Sequence, residues 1–203
     1  MAKPLPTPVR NHLTGLRILL LFTVVCGLLY PLAITGISQV AFSHQANGSL
    51  VKANGKVVGS SLLGQNFTDA KGNPLAQWFQ PRPSAAGQNG YDPTASGASN
   101  LGPNDPGLTK TIQQRKADVA KFNGVPVSAV PPDAVTASGS GLDPDISPAY
   151  AYLQADRVAK ARGLDPAKVR ALVKAHIQSR NLGFLGEPRV NVLELNIALS
   201  TLS

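Results

Sequence analysis

Cysteine is nearly absent from this sequence: Cys26 is the only one, and it lies inside an apolar run. A single cysteine cannot form a disulfide within the chain, and it cannot supply the several sulfur ligands of a cysteine-based zinc site. The stability of the rest of the chain therefore has to come from a hydrophobic core.

Charged residues are also scarce, at 15% of the 203 residues, whereas there are 19 glycines and 17 prolines. This is not the composition of a coiled coil or of a disordered chain. Once the apolar run is set aside, the remaining length fits one domain of ordinary size. We therefore expect a single loop-rich globular domain.

The motifs of common enzyme classes are missing. The sequence contains neither a Gly-x-x-x-x-Gly-Lys-Ser/Thr phosphate loop nor a Gly-x-Ser-x-Gly nucleophile motif. There are three histidines, and for His176 an ordinary helix position is favoured over a catalytic base. Since no nucleophile, base and orienting group come together, we predict a non-catalytic chain without a metal site.

Two aspartates keep a cation site open as an alternative. Asp143 and Asp145 lie close together in a segment of turn residues. They could bind a hard cation together with loop carbonyls. Helix capping and Asx-turns are more frequent roles for aspartates in such a segment, and we favour them.

The formal net charge of +8 is not typical of a nucleic-acid interface here. Lys3, Arg10 and Arg17 precede the apolar run, and all 11 acidic residues follow it. The densest basic stretch, 157–180, has no aromatic residue on which a base could stack. We interpret that stretch as a solvated helical face and predict no nucleic-acid partner.

Residues 18–42 contain no charged side chain. A helix of about 23 residues rises roughly 34 Å, enough to cross a hydrocarbon core of about 30 Å. A cleaved signal peptide is the alternative, but its apolar region is shorter, and His44 disfavours cleavage after Ala46. The three preceding bases place the N-terminus in the cytoplasm by the positive-inside rule. We predict a cytoplasmic segment 1–17, a transmembrane helix 18–42 and an extracytoplasmic domain 43–203.

The domain is expected to be of α+β class and helical in its C-terminal half. Asn54-Gly55, between two short apolar runs, predicts a hairpin. Three Pro-initiated helices are predicted: one from Asp105-Pro106 to about Phe122, one from Ser147-Pro148 to Gly163, and one from Asp165-Pro166. The segment 190–199 alternates like a strand, but the pair Asn191 and Glu194 favours a helix.

The transmembrane segment has small or polar residues at every fourth position: Thr23, Gly27, Pro31 and Thr35. Residues at this spacing share one helix face. In lipid, small side chains let two helices approach closely, so this face is a candidate for docking against another membrane helix. Pro31 is expected to distort the helix near Gly27.

Several blocks of sequence together resemble the C subunit of the Kdp potassium-transporting P-type ATPase. They are YPL (30–32), TG (35–36), QANGSL (45–50), GSSLLGQNF (59–67), RPSA (82–85), YDPTASGASNL (91–101), VTASGSGLD (135–143), ISP (146–148), RVAKAR (157–162) and GEPRVNVLELN (186–196). Their order along nearly the whole chain makes the resemblance specific. Asp145 departs from it, since the family often has His at that position and Asn is also seen there, so we assign no role to this residue from the resemblance.

The resemblance implies an accessory subunit in the cell membrane that stabilises a high-affinity potassium importer. Its partners would be a channel-like potassium-selecting subunit, a P-type pump subunit and a small single-helix subunit. It also implies that the loop containing Tyr91, Asp92, Ser99 and Asn100 serves assembly or the potassium entrance.

The family is further described as raising the affinity of the pump subunit for ATP. Within Ser61-Leu62-Leu63-Gly64-Gln65, Gln65 is then the candidate nucleotide contact. The predicted topology places Gln65 away from cytoplasmic ATP, so we favour an assembly or potassium-entrance role over direct nucleotide contact and keep both open. No covalently bound cofactor is expected, and ATP would be reached through the pump subunit. The alternative class is a membrane-anchored extracytoplasmic enzyme or solute-binding module that uses Asp92, Asp143 and Asp145.

Overall fold

The computed structural model describes residues 6–202. It divides into two compact units, Met1–Ser49 and Leu50–Ser203, called here the N-terminal and C-terminal units. Lys3, one of the three bases used in the orientation argument, lies outside the described residues, and so does Ser203.

The N-terminal unit is one helical run, Thr7–Ala41, followed by a single turn, α3 (Ser43–Ala46). The run consists of α1 (Thr7–Val24), a π-helical segment (Val25–Leu29) and α2 (Tyr30–Ala41). None of the residues in these three segments is buried. Within the described part of the chain, this is the one helix whose length and composition suit a membrane span.

The helix starts before the apolar run and is distorted beside its proline. It begins at Thr7 rather than near Ile18, with Pro8 in the first turn, where a missing N–H costs nothing. The Tyr30 N–H bonds the Val25 carbonyl five residues back, directly before Pro31. The distortion expected from Pro31 thus takes the form of a π-helical segment.

The C-terminal unit contains two small antiparallel sheets. Strands β1 (Leu50–Ala53) and β2 (Lys56–Ser60) form the predicted hairpin. Asn54 and Gly55 turn it with φ values of 50° and 77°, the left-handed conformations that such a turn requires. The second sheet pairs β3 (Asp145–Ile146) with β4 (Val190–Asn191), which are far apart in sequence.

The predicted helices of the C-terminal unit are confirmed with their capping residues. They are α4 (Pro106–Asn123), α5 (Pro148–Arg162), α6 (Pro166–Ala175) and α7 (Val192–Ser200). Asp105, Ser147, Asp165 and Asn191 each accept a hydrogen bond from an N–H of the first turn. The segment 190–199, whose sequence was compatible with a strand or a helix, forms a two-residue strand, β4, followed by the helix α7.

The core lies where α5, α6 and α7 meet. Its fully buried side chains include Val158 of α5, Val169 and Val173 of α6, and Leu195 and Leu199 of α7. The small residues on the buried face of α5, Ala151, Ala155 and Ala159, allow the neighbouring helices to approach closely. This packing supplies the hydrophobic core that a chain without disulfides needs.

Two buried side-chain amides tie an irregular segment to this core. Asn196 accepts from the Phe79 N–H and donates to the Phe79 carbonyl, both at 2.9 Å. Gln154 does the same at Gln80, at 2.7 and 3.0 Å. A side-chain amide has one donor side and one acceptor side. The amides of Asn196 and Gln154 therefore supply the hydrogen bonds that a neighbouring strand would otherwise give to the backbone of residues 79–80.

Arg157 corrects the expectation of a solvated basic face. Its side chain is buried, and it donates to the carbonyls of Ala76 and Trp78 and to the Asn123 amide oxygen. Its guanidinium also lies 4.4 Å from the ring centre of Phe122. Burial lowers the pKa of Arg157 to about 10. The three oxygen atoms and the face of the Phe122 ring stabilise the buried positive charge of the guanidinium.

Candidate functional site

Three irregular loops of the C-terminal unit are joined into one surface, which we call the loop cluster (residues 61–67, 81–101 and 136–144). The Gly64 N–H donates to the Leu142 carbonyl at 2.9 Å, and the Gly97 N–H donates to the Ser140 carbonyl at 2.9 Å. The Ser138 N–H donates to the Pro83 carbonyl at 3.1 Å. These bonds use backbone groups of loops far apart in sequence, so the loops hold one another in a fixed shape.

Ser84 is the central hydrogen-bonding residue of the loop cluster. Its hydroxyl donates to the Gly141 carbonyl at 2.6 Å. It also accepts from the N–H groups of Ala86, at 3.1 Å, and Tyr91, at 2.8 Å. One hydroxyl thereby joins two of the loops, and this role was not predicted from the sequence.

Tyr91, a predicted loop-site residue, faces the interior of the loop cluster. Its hydroxyl donates to the Arg82 carbonyl at 2.7 Å, and its ring lies against Gly64. Burial, and next the Asp143 carboxylate, raise the pKa of Tyr91 above its ordinary value. Its backbone has φ +57°, which is uncommon for a bulky residue and costs energy that the surrounding contacts must supply.

The remaining loop-site candidates divide by their environment. Asp92 accepts from the N–H and the hydroxyl of Thr94, at 2.9 and 2.7 Å, and these bonds lower the pKa of its carboxyl. Ser99 and Asn100 are exposed, and Asn100 has φ +52°. The structure thus brings Tyr91 and Asp92 into the cluster and leaves Ser99 and Asn100 at its surface.

A recess of about 380 Å³ beside the loop cluster is lined by charged side chains of both signs. Arg82 contacts Asp143 at 2.7 Å, and Arg189 contacts Asp145 at 3.1 Å. The Asp143 carboxylate also accepts from the Asp145 N–H at 3.0 Å, the hydrogen bond of an Asx-turn. Among residues 6–202, no three His, Cys, Asp or Glu side chains group together as metal ligands.

The pKa of Asp145 is raised despite its guanidinium partner. Burial is the largest cause, repulsion from Asp143 adds to it, and Arg189 acts in the opposite direction. Folded Asp145 therefore holds its proton more tightly than the unfolded chain does. Its contribution to stability is present in acid and is lost as the pH rises through the raised pKa.

Asp145→Asn is accordingly expected to gain stability relative to the unsubstituted chain as the pH rises from acid to neutral. Asp92→Asn is the matched control, because Asp92 has a lowered pKa and its replacement should lose relative stability over the same pH range. Denaturant unfolding of both variants measures this. If the free energy of unfolding depends on pH in the same way for Asp145→Asn and for the unsubstituted chain, the prediction is contradicted.

Gln65, the nucleotide-contact candidate, is bound to the neighbouring hairpin. Its side-chain amide donates to the Val58 carbonyl at 2.9 Å. A Cβ on Gly59 would lie only 1.9 Å from that amide nitrogen, so the glycine makes room for it. A structural role of Gln65 is thus visible, and its nucleotide contact stays a prediction.

The residues predicted to dock in the membrane lie on the exposed surface of the N-terminal unit. Thr23 donates its hydroxyl to the Leu19 carbonyl at 2.8 Å, and Gly27 lies in the π-helical segment. In an α-helix, residues four apart are offset by about 40° around the axis. The wider turn of a π-helix reduces this offset, which brings Thr23, Gly27 and Pro31 closer to one line.

Comparison with known proteins covers both units. A family model described as "K+-transporting ATPase, c chain" matches residues 12–201. A Kineococcus radiotolerans protein is 53% identical over 98% of this chain and 97% of its own length. A Streptomyces coelicolor protein is 49% identical over 98% of this chain and 96% of its own, and a Mycobacterium tuberculosis protein 50% identical over 95% and 99%. All three are named "Potassium-transporting ATPase KdpC subunit".

Proposed function

Because this chain belongs to the KdpC family of potassium-transporting ATPase subunits, we propose that it holds the subunits of a potassium importer together through both of its units. The chain is an accessory subunit and not the catalytic pump. The observation that carries the proposal is the loop cluster, in which three loops are fixed by hydrogen bonds between their backbones. A surface held in shape before binding loses little entropy when a partner docks.

The proposed partners are a channel-like potassium-selecting subunit, a P-type pump subunit and a small single-helix subunit. In the proposed topology the N-terminus lies in the cytoplasm and the C-terminal unit outside. A reporter fused after Ser203 is then active only outside the cytoplasm, and activity inside the cell would contradict the orientation. The exposed Ser99 and Asn100 are the proposed contacts near the potassium entrance.

The proposal includes an increase in the ATP affinity of the pump subunit, exerted through assembly rather than by binding nucleotide. The hydrogen bond from Gln65 to Val58 supports a structural role for this residue. Family membership decides against the alternative of an anchored enzyme or solute-binding module. The partners found for Asp92, Asp143 and Asp145 agree with structural roles for these carboxylates.

The experiment is purification of the tagged chain from membranes in mild detergent. We expect the three other subunits to copurify, and a lone monomer would contradict the proposed function.

Gly27→Leu should reduce copurification by about ten-fold or more, because the larger side chain holds a neighbouring helix away. The variant should still insert, since Leu is more apolar than Gly.

Gly36→Leu is the matched control for Gly27→Leu. It makes the same substitution in the same helical run but outside the series of every fourth residue, and no atom lies within 4 Å of the added Cβ. We expect it to retain its partners. If Gly27→Leu retains its partners as fully as Gly36→Leu does, the face formed by Thr23, Gly27, Pro31 and Thr35 has no docking role. Assembly would then depend on the C-terminal unit.

A further inference from the structure

A second recess, of about 250 Å³, is lined by residues of α4, by residues 80–84 and by Tyr150 of α5. We call it the α4 recess. Val119 and Ala134 give it an apolar wall. Pockets that hold drug-sized ligands have volumes of roughly 300–1,000 Å³, so a ligand of the α4 recess would be smaller.

Two buried side chains bring unused polar atoms to the α4 recess. Tyr150 is 4% exposed and Gln80 is 8% exposed. Within residues 6–202, neither the Tyr150 hydroxyl nor the Gln80 Oε1 has a hydrogen-bond partner, whereas every side-chain oxygen cut off from solvent has one. The small exposed part of each side chain therefore includes this oxygen, which faces the recess that both residues line. Buried polar atoms are nearly always paired, so these two indicate a ligand.

The hydrogen-bonding role of each of these two atoms is defined. The Gln80 Nε2 donates to the Phe67 carbonyl at 2.9 Å and to the Leu75 carbonyl at 3.0 Å, which fixes the orientation of the amide. Its Oε1 can therefore only accept from a ligand. Burial raises the pKa of Tyr150 to about 12, so its hydroxyl keeps its proton at neutral pH and can donate.

Helix α4 adds one charge of each sign to the recess. Arg115 and Asp118 are three residues apart and share one helix face. In the described part of the chain neither side chain forms an ion pair. Arg115 donates once, to the Val135 carbonyl at 3.2 Å, and Asp118 accepts with one oxygen from Gln114 at 3.0 Å. Both charged groups therefore have hydrogen-bonding capacity left for a ligand.

We propose that the α4 recess binds a small free amino acid. The carboxylate of the ligand pairs with Arg115 and accepts from the Tyr150 hydroxyl. Its ammonium donates to the Asp118 carboxylate and to the Gln80 Oε1, and the apolar wall takes a short side chain. A simple anion would be repelled by these two acceptor oxygens, and a simple cation by the guanidinium of Arg115. The site lies within the C-terminal unit and does not depend on the proposed assembly role.

The first test is equilibrium dialysis of radiolabelled L-alanine against the full chain in detergent. We expect saturable binding and displacement of the label by glycine. Acetate and ethylamine each carry only one of the two charges, so they should need concentrations about ten-fold or more higher than glycine. Absence of saturable binding would mean that water alone fills the recess and would overturn the proposal. Displacement by acetate at the same concentration as glycine would also overturn it, because the site would then take a simple anion.

The second test compares variants that remove one ligand contact each. Tyr150→Phe should weaken alanine binding by about ten-fold or more and leave the unfolding midpoint nearly unchanged, since the hydroxyl has no partner within residues 6–202. Tyr152→Phe is the matched control in the same helix, outside the residues that line the recess, and should bind normally. Asp118→Asn should weaken alanine binding but not the weak competition by acetate. Unaltered alanine binding in either Tyr150→Phe or Asp118→Asn would overturn the proposal.

Discussion

Gly141→Ala should lower the free energy of unfolding by about 3 kcal/mol or more, combining left-handed strain with overpacking. Gly141 has φ +70°, a conformation that alanine adopts only at a cost. A Cβ there would lie 2.6 Å from the Ala86 Cβ and 2.7 Å from the Gly97 carbonyl oxygen. Both neighbours belong to the loop cluster, so the substitution would separate the loops.

Gly139→Ala provides the matched control for this prediction. It lies in the same loop, and a Cβ there meets no atom within 4 Å. Its change in stability should stay within about 0.5 kcal/mol. Trp78, the only tryptophan, is a fluorescence probe for denaturant unfolding of the full chain in detergent. Equal unfolding midpoints for the two variants would show that the loop cluster tolerates the crowding.

The parts of the fold that depend on neighbouring residues could be predicted from the sequence. Asp105-Pro106, Ser147-Pro148 and Asp165-Pro166 each start a helix, because the cap and the first turn are only a few residues apart. The left-handed Asn54-Gly55 turn is a signal of the same kind. Such signals do not require knowledge of what the element packs against.

The contacts that hold the loops together could not be predicted, because their partners are distant in sequence. Asn196 lies 117 positions after Phe79, and Gln154 lies 74 after Gln80. Arg157 has the sequence context of an exposed helical cation, and its burial depends on carbonyls that only the folded chain brings near it. A charge pattern alone cannot distinguish these two environments.

The candidate site shows the same division. The family resemblance grouped Tyr91 and Asn100 in one candidate loop, but it did not show that Tyr91 faces inward while Asn100 faces solvent. The roles of Arg82, Ser84 and Gly141 were missed, although the sequence blocks containing them support the family resemblance. A serine or glycine whose partners lie in other loops has no local signature.

Asn196→Asp should destabilise the chain by about 3 kcal/mol or more at neutral pH, because it places a charge in the core opposite a carbonyl. Asn196 is 2% exposed and pairs with both polar groups of the Phe79 backbone. An aspartate can still accept from the Phe79 N–H. Its second oxygen would face the Phe79 carbonyl oxygen at about the former 2.9 Å with no proton between them.

The aspartate can restore the lost donor only by taking up a proton. Burial and the carbonyl should therefore raise its pKa in the folded chain above that in the unfolded chain. The stability deficit of Asn196→Asp should then shrink as the pH falls through the raised pKa. Asn196→Leu, which is similar in size and cannot titrate, should show a deficit that does not change with pH. Denaturant unfolding of the two variants at acid and neutral pH tests the pairing, and a pH-independent deficit in Asn196→Asp would mean that Phe79 does not depend on a donor from position 196.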